Sequence, residues 1–218
     1  MINKAFIFDM DGVIIDSETW WNKMDSHYSE TILGQKLAKK ILPNSFGQSL
    51  KTIYNRAVRE GFSLSWKEFF AGYDKMAQVI YRQAPLTKNI NHLIDRLLSK
   101  HYRLGLVSAS CLDWIKLTLK RLDRPKAFKV VISLDDRPDL KSKPAPDGYL
   151  KAMKRLGVKP ENSFVLEDTE TGIRAGKASG AYTIGLTEHL PAWHKPAGAD
   201  LFVKNIKELE TYLDSIKL

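Results

Sequence analysis

Lys4-Ala5-Phe6-Ile7-Phe8-Asp9-Met10-Asp11-Gly12 is the stretch that decides the fold. An unbroken apolar run that ends on a carboxylate reads as a short strand covered on both faces, the pattern of a parallel sheet. Similar runs recur at 102–108, 129–133, 163–167 and 183–186, with a weaker one at 201–203. Between them lie stretches of helical spacing. Ile90, Leu93, Ile94, Leu97 and Leu98 share one face, and further helices are expected over 112–122, 147–156 and 171–179. Gly157 and Gly180 follow the last two as C-terminal stop signals. Strands alternating with helices predict an α/β fold, a Rossmann-like parallel sheet with right-handed crossovers.

One region breaks the alternation. From 17 to 84 there is no strand pattern, only helical stretches near 17–33, 48–60 and 65–83, separated by Gly34, Pro43-Asn44, Gly47 and Gly61. Such a length is far too great for a loop inside a compact domain. The sequence therefore predicts two domains, an α/β core of residues 1–16 and 85–218 and an inserted α-helical domain of residues 17–84. Trp20, Trp21, Phe62, Trp66, Phe69, Phe70 and Tyr73 are the expected core of the insert.

Composition narrows the function classes. The chain has 218 residues, 44% hydrophobic and 27% charged, ordinary for a globular protein. No stretch nears the ~20 apolar residues of a membrane span, and no secretory leader is expected. The single Cys111 excludes an internal disulfide and fits a reducing, cytoplasmic setting. The net charge of +9 suggests anionic partners. The clusters Lys36, Lys39, Lys40 and Lys116, Lys120, Arg121, Arg124, Lys126 read as polar helix faces, so no nucleic acid partner is expected.

Ligands of open α/β sheets bind beyond the carboxyl ends of the strands. There the sequence places Asp9 and Asp11, Ser108 to Ser110, the loop with Lys143, and Glu167 with Asp168. Carboxylates, a hydroxyl and a lysine at one edge suit metal-assisted phosphoryl transfer. Carboxylate oxygens suit Mg²⁺, and a carboxylate can itself attack phosphorus.

Phe8-Asp9-Met10-Asp11-Gly12-Val13, Val107-Ser108-Ala109-Ser110, Ser142-Lys143-Pro144-Ala145-Pro146-Asp147 and Leu166-Glu167-Asp168-Thr169-Glu170-Thr171-Gly172 resemble, in order and approximate spacing, the four motifs of the haloacid dehalogenase superfamily. The resemblance spans essentially the whole chain and is closest to the branch holding β-phosphoglucomutase and phosphoglycolate phosphatase. It implies Asp9 as nucleophile and Asp11 as general acid and base. Ser108 and Ala109 would hold the phosphoryl group, and Lys143 would offset its charge. Asp9, the Asp11 main-chain carbonyl, Glu167 and Asp168 would hold Mg²⁺. Dehalogenase members lack the second aspartate, so Asp11 speaks against carbon–halogen chemistry.

The insert would be the cap of this branch, closing over the site from hinges near 13–17 and 83–88, with Asp16 or Ser17 as the N-cap of its first helix. Cap specificity residues would include Trp21 and Lys51. Mutase members carry a histidine where this chain has Trp21, and a phosphate-binding arginine where it has Leu50 beside Lys51. The expected function is hydrolysis of a small phosphorylated metabolite by a monomer. A sugar-phosphate mutase is the alternative, and a non-enzymatic phosphometabolite or nucleic-acid binding protein a remote one. Glu170 and Thr171 are candidates for contacts around the metal. His189 and His194, in the loop after the fifth strand, read as surface residues, with a contact to the substrate as the alternative.

Overall fold

The structure is a computed structural model that describes residues 3–42, 50–192 and 194–216, without the side chains of residues 22 and 24–29. The breaks expected at Pro43-Asn44 and Gly47 and the start of the 48–60 helix lie outside the described residues. The strands are β1 (Ala5–Phe8), β2 (Arg103–Ser108), β3 (Phe128–Ser133), β4 (Ser163–Glu167), β5 (Tyr182–Leu186) and β6 (Leu201–Val203). They form one six-stranded sheet in the order β3-β2-β1-β4-β5-β6. Every neighbouring pair runs parallel.

The helices are α1 (Ser17–Leu33), α2 (Gln35–Ile41), α3 (Leu50–Arg59), α4 (Trp66–Gln83), α5 (Ile90–Ser99), α6 (Leu112–Leu119), α7 (Asp147–Leu156), α8 (Glu170–Ala178) and α9 (Ile206–Ser215). The first four form the insert between β1 and α5. The sheet is a middle layer because its strands are apolar on both faces. Phe6, Phe8, Leu104, Leu106 and Leu166 pack with Leu93, Leu97, Leu209 and Leu213 on one side. Ala5, Ile7, Val107, Ile132 and Val165 pack with Tyr149, Met153 and Ala175 on the other. Each fully buried large side chain contributes roughly 1.5–3 kcal/mol.

The insert has its own aromatic core. Tyr54, Phe62, Trp66 and Phe69 meet with ring centroids 5.2–6.3 Å apart. Ser65 caps α4 through a reciprocal capping box with Glu68. Two linkers join insert to core as a short ribbon. The Asp16 amide donates to the Pro85 carbonyl at 2.9 Å, and the Thr87 amide to the Ile14 carbonyl at 3.0 Å.

One expectation needs correction. Helix α6 ends at Leu119, earlier than expected, so Lys116 to Lys126 is not one helix face. Arg121 instead donates to the Tyr81 carbonyl, and Arg124 pairs with Asp95. Asp16, one of the two residues expected there, caps α1 by accepting from the Thr19 amide.

Candidate active site

The strand order reverses at β1, with β2 on one side and β4 on the other. That switch point opens a crevice at the carboxyl ends. The Asp9 amide donates to the Leu166 carbonyl at 2.9 Å, so Asp9 follows the last ladder position of β1. Ser108 ends β2 and Glu167 ends β4. Lys143 arrives from the loop before α7. Asp9, Ser108, Glu167 and Asp168 are all at most 6% exposed.

The Lys143 ammonium joins two carboxylates, donating to Asp9 Oδ1 at 2.5 Å and to Glu167 Oε1 at 2.6 Å. A third bond reaches the Val107 carbonyl at 3.3 Å. Tyr149 donates its hydroxyl to the same Glu167 oxygen at 2.6 Å. The Thr169 hydroxyl donates to Glu167 Oε2 at 3.3 Å while accepting from the Gly172 amide to cap α8. The Thr171 hydroxyl donates to Thr169 at 3.4 Å. Thr169 is thus a contact of Glu167 that the sequence did not single out.

Carboxylate oxygens of Asp9, Glu167 and Asp168 lie within 4.8 Å of one another. Both Asp168 oxygens are buried without a hydrogen-bond partner among the described residues. Burying a carboxylate unpartnered is costly, so this donor set suits a hard cation. Glycine makes the room. At Gly12, with φ +73°, a Cβ would lie 1.9 Å from Asp168 Oδ2, and at Gly172 about 2.0 Å from the Glu167 carboxylate.

Electrostatics agree with a site built for a cation. Burial pushes Asp9 well above the ordinary carboxylate range. Lys143 opposes the rise, and the Glu167 and Asp11 charges add to it. Burial, then Asp9, Glu167 and Glu18, pushes Asp168 up as well. Burial pulls the Lys143 ammonium down, but the Asp9 and Glu167 charges outweigh it and hold it well above its usual range.

Asp11 lies in a cradle of hydroxyls. Oδ1 accepts from Ser17 at 2.6 Å and from Tyr81 at 2.8 Å. Oδ2 accepts from Ser110 at 2.7 Å and from Ser108 at 3.4 Å. Tyr81 belongs to α4 of the insert, so the insert itself touches this aspartate. Burial and the Asp11 charge push the Tyr81 phenol well up, which keeps it a donor. Sequence reasoning missed Tyr81, because no local pattern links it to a carboxylate 70 positions away. Its place at the end of α4, just before the second linker, was the only available hint.

Trp21 sits behind Tyr81 and donates its indole N–H to the Tyr81 oxygen at 3.4 Å. Trp114 of the core helix α6 packs against Trp21, Tyr81 and Phe70 at 5.5–5.9 Å and donates to Asp74 of α4 at 2.7 Å. Lys51 is exposed, with its ammonium 4.1 Å from the Trp66 ring centroid. Burial and Asp136 raise Asp135 in the loop after β3, and Lys51 partly offsets them. Ala109 is half-buried between Ser108 and Ser110. Burial pushes the Cys111 thiol up to about 11, away from the thiolate form that attacks.

Comparison with known proteins settles the family. A sequence profile described as haloacid dehalogenase-like hydrolase matches residues 6–186, and the chain belongs to that family. The chain is 28% identical over 212 residues to validoxylamine A 7'-phosphate phosphatase of Streptomyces hygroscopicus subsp. limoneus, covering 94% of this chain and 95% of that one. It is 28% identical over 214 residues to β-phosphoglucomutase of Bacillus subtilis, covering 94% and 91%. A crystal structure of a family IA, variant 3 hydrolase from Entamoeba histolytica shares the fold with a TM-score of 0.78 at 21% identity, covering 99% of this chain and 100% of that one. No helix among the described residues is long and apolar enough to cross a membrane.

Proposed function

We propose that this protein is a Mg²⁺-dependent phosphatase that hydrolyses a small phosphorylated metabolite through an aspartyl-phosphate on Asp9. The observation that carries this reading is the buried Asp9–Lys143–Glu167 bridge beside Asp168, whose oxygens have no partner among the described residues. An Asp9 oxygen attacks phosphorus, and the bond to the ester oxygen breaks. Asp11, as the acid, gives that leaving oxygen its proton. Asp11, now the base, takes a proton from water. The hydroxide attacks the phosphoryl group, and the phosphorus–Asp9 bond breaks to release phosphate. Ser108 and the Ala109 backbone hold the phosphoryl oxygens, and Lys143 offsets their charge.

Asp9, the Asp11 carbonyl, Glu167 and Asp168 would hold Mg²⁺. A bound Mg²⁺ supplies charge to offset carboxylate–phosphate repulsion. Residues 17–84 act as the cap that excludes water and selects the substrate, with Trp21 and Lys51 as its reading residues. Hydrolysis is favoured over transfer between two hydroxyls because Trp21 offers one indole N–H, already directed at Tyr81, where a second phosphate would need cationic donors.

The test is phosphate release from a panel of phosphorylated metabolites, with Mg²⁺ and with chelator. Release that depends on Mg²⁺ and is lost in Asp9→Asn is expected. An isomerised phosphosugar with no net phosphate would replace this reading with a mutase.

A further inference from the structure

We propose that His189 is a positioning residue that clasps both linkers between cap and core and so sets where the cap sits. The proposal rests on reading residues 17–84 as a cap that moves over the strand-end site. His189 lies in the loop after β5, and its side chain is only 15% exposed. Its Nε2 is 3.0 Å from the Thr87 hydroxyl on the second linker. Its Nδ1 is 3.7 Å from Asp16 Oδ2 on the first linker, an electrostatic contact rather than a direct hydrogen bond. One imidazole therefore addresses both strands that any cap motion must bend.

Its neighbours in the loop hold the core instead. The Thr187 amide and hydroxyl both donate to the Val203 carbonyl, and Glu188 accepts from the Ile206 amide. The loop is thus pinned to β6 and the start of α9, while His189 turns from it toward the linkers. A ring needed only to fill space would not direct both nitrogens at the two linkers. The Nδ1–H tautomer serves both linkers, since it turns an N–H toward the Asp16 carboxylate and leaves Nε2 to accept from the Thr87 hydroxyl. The ribbon beneath is held by two backbone hydrogen bonds, Asp16 to Pro85 and Thr87 to Ile14. The His189 side chain adds a clasp to those two bonds across the linkers.

The test is amide hydrogen exchange on the full chain, which needs no turnover. In His189→Ala, exchange at the Asp16 and Thr87 amides should speed up about three- to tenfold, the population change that one net hydrogen bond produces. Amides of β4 and β5 should keep the wild-type rate. His189→Gln, which can still reach Thr87, should recover part of the protection. Thr87→Val should accelerate the same amides, and adding it to His189→Ala should bring little more, because the two share one interaction. Unchanged linker exchange, acceleration shared equally by the sheet, or fully additive variants would each overturn the clasp. The phosphate-release panel on the wild type tests the phosphatase reading separately, so either idea can fail while the other stands.

Discussion

The ends of the strands and the inserted helices are built by opposite rules. At the strand ends charge is buried and paired, with Lys143 between Asp9 and Glu167 at 2.5 and 2.6 Å. In the insert the packing is apolar and rich in aromatic rings, and Lys51 stays exposed over the Trp66 ring. Buried charge demands a chemical reason, because an unpaired ion in the interior is so costly. Aromatic packing demands none. One region therefore declares its chemistry, and the other only its shape. The two meet at Tyr81, an insert residue whose hydroxyl lies on Asp11.

The largest expected effect falls on the charged side. Asp9→Asn should lower turnover by about 10³-fold or more while the fold persists, since losing a nucleophile removes the covalent route. Circular dichroism and phosphate release check both halves. Lys143→Ala should destabilise the metal-free protein by roughly 3–5 kcal/mol, because it leaves Asp9 and Glu167 buried without their cation. Denaturant unfolding measures it, and a loss near zero would mean the bridge does not form.

Next comes the pH dependence of the carboxylate cluster. Burial and neighbouring charges hold Asp9 and Asp168 above their unfolded values. The folded state then binds more protons than the unfolded chain from about pH 4 upward, so their contribution to stability is full in acid and is lost as pH rises through the folded values. Asp168→Asn should therefore raise the metal-free Tm, with a gain that grows with pH, and should remove most of the stabilisation that added Mg²⁺ gives the wild type. Thermal melts across pH, with Mg²⁺ and with chelator, read both changes.

Tyr81→Phe tests the junction. It keeps the rings stacked and removes one donor to Asp11, so kcat should fall about tenfold with its pH profile displaced, while stability changes by about 1 kcal/mol. A variant with an unaltered profile would show that the junction is only packing. Lys51→Ala should be the mildest. Its contact with Trp66 is worth about 0.5–1 kcal/mol at an exposed site, and a rise in KM with kcat kept would mark Lys51 as a substrate reader.

The same contrast explains what the sequence disclosed. The strands announced themselves because covering both faces of a parallel sheet requires unbroken apolar runs, so β4 and β6 fall where expected. Asp9, Ser108 and Glu167 were legible because each ends or follows a strand whose register is fixed by its neighbours, and Lys143 because it stands in the Ser142-Lys143-Pro144 motif. Helix α9 went unread, since Leu209 and Leu213 are sparse among charged residues. The contacts of Tyr81, Trp114 and His189 stayed hidden for another reason. Their partners Asp11, Asp74 and Thr87 lie 70, 40 and 102 positions away, and only the closed fold brings them together.

The central claim is that Asp9 carries the phosphoryl group. Rapid acid quench of the wild type during turnover of a phosphorylated substrate identified by the panel, followed by mass analysis of the peptide bearing Asp9, tests it most directly. A phosphoryl group on Asp9, seen only with Mg²⁺ and absent in Asp9→Asn, is the predicted result. Sustained turnover by Asp9→Asn at near wild-type rate, with no modification of that peptide in the wild type, would contradict it.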